Sequence, residues 1–146
     1  MRYLLDEQLD EVVAASMMPI GSKFADEFLH ILSVRRPGTP DDEIPVVCRE
    51  ERIACLVSAN VRDFGARKFY FQALLAEGLH VAVLRPGKGK FYEEEQLSLL
   101  SRSYRAVRSI IESAESPQLI SCTGAGVRPR SIEDLIDEFD RGRRLP

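Results

Sequence analysis

The chain has 146 residues, 45% of them hydrophobic, and a formal net charge of −3 at pH 7. That length fits one domain able to bury a full core without staples, and the mild negative charge excludes a histone-like, passive nucleic-acid binder. Its three cysteines, Cys48, Cys55 and Cys122, form no CxxC pair, which excludes a zinc ribbon or a redox pair.

Arg2–Leu5 reads as a short strand, and Asp6 and Glu7 follow it at once. From Glu7 to Met18 the residues Leu9, Val12, Val13 and Met17 recur at helical spacing, with Pro19 and Gly21 as punctuation. Phe28–Val34 predicts a second strand, and Arg35 to Pro40 a loop. A helix is expected from about Asp41, with Thr39 or Asp41 as its cap and acids in its first turn. Ile53–Ser58 is apolar nearly throughout, as a parallel strand buried on both faces would be. Asn60 to Arg67 reads as a loop, and Lys68–Glu77 as a helix stopped by Gly78. His80–Leu84 predicts a fourth strand and Pro86–Lys90 a turn. The longest helix is expected from Tyr92 or Glu93 to Glu112, with Leu97, Leu100, Tyr104, Val107 and Ile111 on one face. Gln118–Thr123 suggests a further strand. Ser131-Ile132-Glu133-Asp134 has the form of a capping box leading a helix to Phe139, and Arg141–Arg144 reads as a frayed tail.

Strand–helix alternation with right-handed crossovers predicts the α/β class: a central parallel sheet flanked by helices, in a single domain over residues 1–146. Such sheets bind ligands beyond the carboxyl ends of their strands, at the switch in strand order. If the first strand neighbours the third, Asp6 and the Asn60–Asp63 loop emerge side by side, with the Asp41 helix opening on the same edge. Three acidic junctions on one edge, with no cysteine or histidine cluster to compete, suggest Mg2+ or Mn2+ acting on phosphates.

Plainer readings stand beside this one. Asp6 is suited to cap the following helix. Asp41, Asp42 and Glu43 complement a helix dipole, and Asn60 and Asp63 are suited to an Asx turn. Of Asp41, Asp42 and Glu43 not all can face one site, since successive helical residues point about 100° apart. His30 and His80 are expected to be structural, because neither has an orienting partner in sequence. Gly87-Lys88-Gly89-Lys90 lacks the preceding glycine and following Ser/Thr of a phosphate loop, and Gly124-Ala125-Gly126 is a lone GxG. Phe69, Tyr70 and Phe71, beside Arg67 and Lys68, divide between RNA stacking and core. Buried reduced thiols and the lack of a signal peptide or long apolar run lead us to expect a cytoplasmic protein without membrane contact.

Three stretches resemble motifs of PIN-like domains. Arg2-Tyr3-Leu4-Leu5-Asp6-Glu7-Gln8-Leu9 is similar to their first strand, and Gly38-Thr39-Pro40-Asp41-Asp42-Glu43-Ile44 to their second acidic motif. Leu56-Val57-Ser58-Ala59-Asn60-Val61-Arg62-Asp63-Phe64 resembles the T-x-[DN]-x-x-D-F motif of VapC-type toxins. The resemblance covers residues 1–86 and leaves 87–146 as a C-terminal helix and extension without a family motif. That extension suits a specificity element, a homodimer surface or sheet covering.

The resemblance implies a metal-dependent ribonuclease acting on RNA, often the toxin of a toxin–antitoxin pair. It implies Asp6 as a direct ligand of Mg2+ or Mn2+, Asp41 or Asp42 as the second acid and Asp63 as the third. Asn60 would be a ligand or a water-orienting amide, and Glu7 and Glu43 supporting acids. Asn60 stands where many of these domains carry Asp. That departure motivates the alternative of an inactive PIN-like module that binds RNA or protein. A receiver-like signalling domain would need a phospho-accepting Asp where this chain has Ser58-Ala59-Asn60, and an amide cannot form the acyl phosphate.

Overall fold

Alternation along the strands sets the two faces of one sheet, because successive side chains point to opposite sides. In the computed structural model, which describes residues 1–59, 68–87 and 89–144 (the backbone alone for 139–144), β1 spans Arg2–Leu5 and β3 spans Cys55–Ser58. Tyr3, Leu5, Cys55 and Val57 face one core, and Leu4 and Leu56 the other. The first core is closed by α1 (Glu11–Ser22) and α4 (Glu93–Ser113) through Val13, Met17, Leu100, Tyr104 and Val107. The second is closed by α2 (Ile44–Glu50), α3 (Lys68–Ala76) and α5 (Ile132–Arg144) through Val47, Phe71, Leu74 and Leu135. The expected α/β architecture is therefore present.

The remaining strands are β2 (Glu27–His30), β4 (His80–Leu84), β5 (Leu119–Thr123) and β6 (Gly126–Pro129). The sheet order is β2-β1-β3-β4-β5-β6, parallel throughout except for the β5–β6 pair. The antiparallel β6 was not anticipated: Gly124 and Ala125 form a tight hairpin, so the lone GxG is a turn. The extension beyond residue 86 thus adds two strands to the same sheet and covers one of its faces with α4. No described helix is long and apolar enough to cross a membrane.

Several boundaries depart from the sequence reading for local reasons. The first helix begins at Glu11 rather than Glu7, because Asp10, not Asp6, is its N-cap and accepts a bond from the Val12 amide at 2.9 Å. It continues past Pro19 to Ser22; Pro19 and Ala15, whose carbonyl loses its bond there, are both exposed to water. The second strand ends at His30 rather than Val34. His30 Nδ1 accepts from the Leu32 amide at 3.1 Å, and Ser33 Oγ donates to the His30 carbonyl at 2.7 Å, which turns the chain into the short 3-10 segment Ile31–Ser33.

Before α2, Asp41–Glu43 form a 3-10 turn whose N-cap position is Pro40, not the expected Thr39 or Asp41. The C-terminal helix runs through Arg144, past the expected stop at Phe139 and the expected frayed tail. Ile132 and Leu135 are buried, and Glu138 pairs with both Arg85 and Arg130, at 2.9 and 2.5 Å. Ser131 Oγ accepts from the Asp134 amide at 3.1 Å, as the capping box requires.

Candidate functional site

The strand order supplies the reason a site forms where it does. The chain leaves β1 for β2 on one side and returns to β3 on the other, so a crevice opens at the carboxyl ends of β1 and β3. Asp6 is the first residue past β1, and its amide donates to the Val57 carbonyl at 3.1 Å. By strand alternation its side chain lies on the face of Leu4, toward α2 and α3. It is 5% exposed. One carboxylate oxygen accepts from the Gln8 amide at 2.9 Å, and the Leu9 amide donates to the Asp6 carbonyl at 3.1 Å. This Asx turn fixes the carboxylate at the sheet edge.

Asp6 lines a pocket of about 190 Å3 together with Asp41, Glu7, Thr39, Ile44 and Tyr70. Asp41 reaches it because the 3-10 turn ahead of α2 starts there, while Ile44 and Val47 anchor that helix in the core. Asp42, expected among the catalytic acids, is exposed and does not line this pocket, and Glu43 lines the neighbouring groove instead. One turn of 3-10 helix rotates successive side chains about 120° apart, so only one of the three acids reaches the pocket. Asn60 and Asp63 lie outside the described residues.

Glu7, read as a supporting acid, lines the same pocket and holds one of its loops. Its Oε1 accepts from the backbone amides of Gly38 at 2.8 Å and Thr39 at 3.2 Å. Thr39 Oγ1 in turn donates to the Arg36 carbonyl at 2.8 Å. Glu7 thus ties the end of β1 to the loop that delivers Asp41. Gly38 sits at φ +77°, the left-handed turn conformation that glycine adopts without strain. Behind the turn, buried Gln96 of α4 accepts from the Asp10 amide at 2.9 Å and donates to the Phe91 carbonyl at 3.0 Å, bracing the site from the C-terminal segment. Neither Glu7 nor Gln96 is marked for these roles by any local pattern, since their partners lie far along the chain.

The donor chemistry fits a hard divalent cation. Carboxylate oxygens in a small open pocket leave room for the several waters Mg2+ retains. Among the described residues no group of three His, Cys, Asp or Glu is arranged to hold a metal; the described carboxylates that line the pocket are Asp6, Glu7 and Asp41.

The other candidate residues behave structurally. His30 Nε2–H donates to the Leu9 carbonyl at 2.7 Å, so both ring nitrogens are used in holding the backbone. His80 Nδ1 accepts from the Gln118 amide at 3.0 Å, and burial lowers its pKa. The cysteines are free and buried, and burial pushes the Cys48 and Cys122 thiols up to about 12. Of the aromatic trio, Tyr70 and Phe71 are core while Phe69 is exposed.

No family model, curated protein or solved structure matches the chain.

Proposed function

We propose that this protein is a metal-dependent ribonuclease of the PIN-like type that hydrolyses RNA phosphodiester bonds with Mg2+ or Mn2+. The observation that carries the reading is the convergence of Asp6 and Asp41, from separate parts of the chain, on one pocket at the β1–β3 switch point. Asp6 is the principal metal ligand, held by its turn and shielded by burial. Asp41 is the second acid, oriented by the loop that Glu7 clamps. Asp63 as third acid and Asn60 as water-orienting amide follow from the motif resemblance. Bound there, the cation would supply charge neutralisation to the phosphodiester and activate water. An antitoxin protein is the partner this reading carries with it.

Manganese titration by calorimetry on the wild type and on Asp6→Asn tests the reading, with circular dichroism to confirm folding and an RNA cleavage assay alongside. Binding and cleavage in the wild type, both lost in the folded variant, are expected. Cleavage retained by Asp6→Asn overturns the assignment. RNA binding without turnover at any Mn2+ concentration makes the chain a non-catalytic PIN-like module.

A further inference from the structure

A surface helix ordinarily turns charged residues outward, yet no residue of α1 between Glu11 and Lys23 is charged. Its inner side is filled by Val13, Ala14, Met17 and Gly21. Val12, Ala15, Met18, Pro19 and Ser22 recur at helical spacing on the outer side and are all exposed, Val12 to 53%. Phe24, just past the end of the helix, is exposed as well. The two ends of this face differ in sign. α1 packs beside α4, and both start at the carboxyl edge of the sheet, because each follows one of its parallel strands. At that end Asp10, next to Glu11, shares a cavity with Glu93, Glu94 and Glu95. At the other end, next to Lys23, the Phe24 ring lies under the guanidiniums of Arg105 and Arg108, at 5.7 and 4.9 Å. Arg108 is taken by Asp26 and Glu112, but Glu11, Lys23 and Arg105 make no ion pair among the described residues.

From this arrangement we infer that a second copy of the chain covers the outer face of α1, the two helices packing antiparallel about a two-fold axis. The inference does not draw on the ribonuclease reading. α1 covers the sheet face opposite the one on which Asp6 lies, so pairing through it leaves the acidic pocket open.

Three physical points support it. The first is charge. A face that is acidic at one end, apolar in the middle and basic at the other is complementary to itself when turned end for end, as an isologous interface requires. A two-fold axis near the middle of α1 sets each Glu11 against the partner's Lys23, and the acids around Asp10 toward the partner's Arg105. The second is shape. Ala15 and Ser22 are small enough to let two helices approach, and Met18 is adaptable enough to fill the gaps between them. The third is the backbone, since antiparallel helices bring opposite ends of their macrodipoles together.

Sedimentation velocity across a concentration series, at low and high salt, tests this, with circular dichroism to confirm folding. The wild type is expected to dimerise reversibly, more weakly at high salt. Ala15→Lys keeps the helix, because the new cation stands one turn after Glu11, but brings a charge into the apolar contact. It should raise the dimer dissociation constant roughly 10- to 100-fold. Glu11→Lys and Lys23→Glu each set like charges together and should each raise it about tenfold. The double variant Glu11→Lys/Lys23→Glu should return it to within about threefold of the wild type, since the pair is then restored with its signs exchanged. Phe69→Ala, which removes an exposed ring from α3 on the other face, should match the wild type. A wild type that stays monomeric overturns the inference and leaves the face to a different partner. Undiminished dimerisation of Ala15→Lys overturns it by placing the contact on another surface. Failure of the double variant to recover overturns the antiparallel pairing.

Discussion

Glu7 Oε1 accepts a hydrogen bond from the Gly38 amide at 2.8 Å, across 31 positions of chain. This contact, with the parallel bond from Thr39, makes Glu7 a clamp on the loop that carries Asp41, a role distinct from that of a metal ligand. The two roles predict opposite results for the conservative variant. Glu7→Gln keeps a carbonyl oxygen that accepts both amides, so manganese affinity and RNA cleavage should stay near wild type. Glu7→Ala removes the acceptor and should cost about 1 kcal/mol of stability and roughly 10- to 100-fold in metal affinity or activity, as loss of an orienting partner does. A Gln variant as impaired as the Ala variant would instead place Glu7 on the metal.

The position of Asp41 on the pocket wall, with Asp42 turned to solvent, separates two neighbours in sequence. Asp41→Asn is expected to weaken manganese binding by at least the ~10-fold that loss of a supporting partner costs. Asp42→Asn should leave both binding and cleavage unchanged. Calorimetry on the two variants decides it, and the opposite ranking would mean that the Asp41–Glu43 turn rotates when metal binds.

The sheet was legible in the sequence because the apolar runs are short and bounded. Arg2–Leu5 and His80–Leu84 coincide with β1 and β4, and Lys68–Ala76 with most of the expected helix. The convergence of Asp6 and Asp41 followed from placing both at strand-to-helix junctions on one edge. What escaped was set by side chains acting on the backbone. The imidazole of His30 ends β2 in a run whose apolar residues read as strand to Val34, and Asp10 takes the cap that Asp6 was equally suited to fill. β6 escaped because Gly126–Pro129 lies at an exposed sheet edge, where Val127 alone packs against the core in place of the apolar run that marked the buried strands.

Acid should destabilise this fold in two stages. Burial lowers the pKa of His80 from 6.5, so the folded state resists its protonation while the unfolded chain accepts it. Stability from His80 is complete above pH 6.5 and declines as pH falls below it. Asp26 follows the same sign lower down. Burial by itself would raise its pKa, but the Met1 amine at 2.7 Å, the Tyr104 hydroxyl and the Arg108 guanidinium at 2.9 Å outweigh that and lower it from 3.8. Its contribution is present above pH 3.8 and is lost as pH falls through the lower folded value. Thermal midpoints measured by circular dichroism should thus decline gently below pH 6.5 and steeply below 3.8. Asp26→Asn should cost about 3 kcal/mol at neutral pH, since it leaves the facing cation unpaired, and should flatten the lower limb. A lower limb as steep as that of the wild type would move the effect to other carboxylates such as Glu138, whose pKa Arg130 and Arg85 lower despite its burial.

Gly21 sets helix propensity against packing. It lies within α1 at an ordinary helical φ, where replacing glycine with alanine would by propensity alone stabilise by about 1 kcal/mol. A Cβ there would stand 2.8 Å from Phe28 Cε2 and 3.0 Å from the Asp26 carbonyl oxygen. Neither neighbour can yield cheaply. The Phe28 ring is stacked on Tyr3 at 4.8 Å and edge-on to Tyr104 at 5.5 Å, and the carbonyl belongs to the turn that buries Asp26. Overpacking at such a site costs about 1–3 kcal/mol, so Gly21→Ala should be net destabilising, by roughly 1 kcal/mol once propensity is offset. Because the Gly21 carbonyl also accepts the Asp26 amide at 3.0 Å, the same substitution should loosen the Asp26 network and shift the acid limb upward in pH. Urea denaturation at neutral and acid pH reads both effects. A Gly21→Ala protein more stable than the wild type would show that α1 can slide away from β2 without loss of packing.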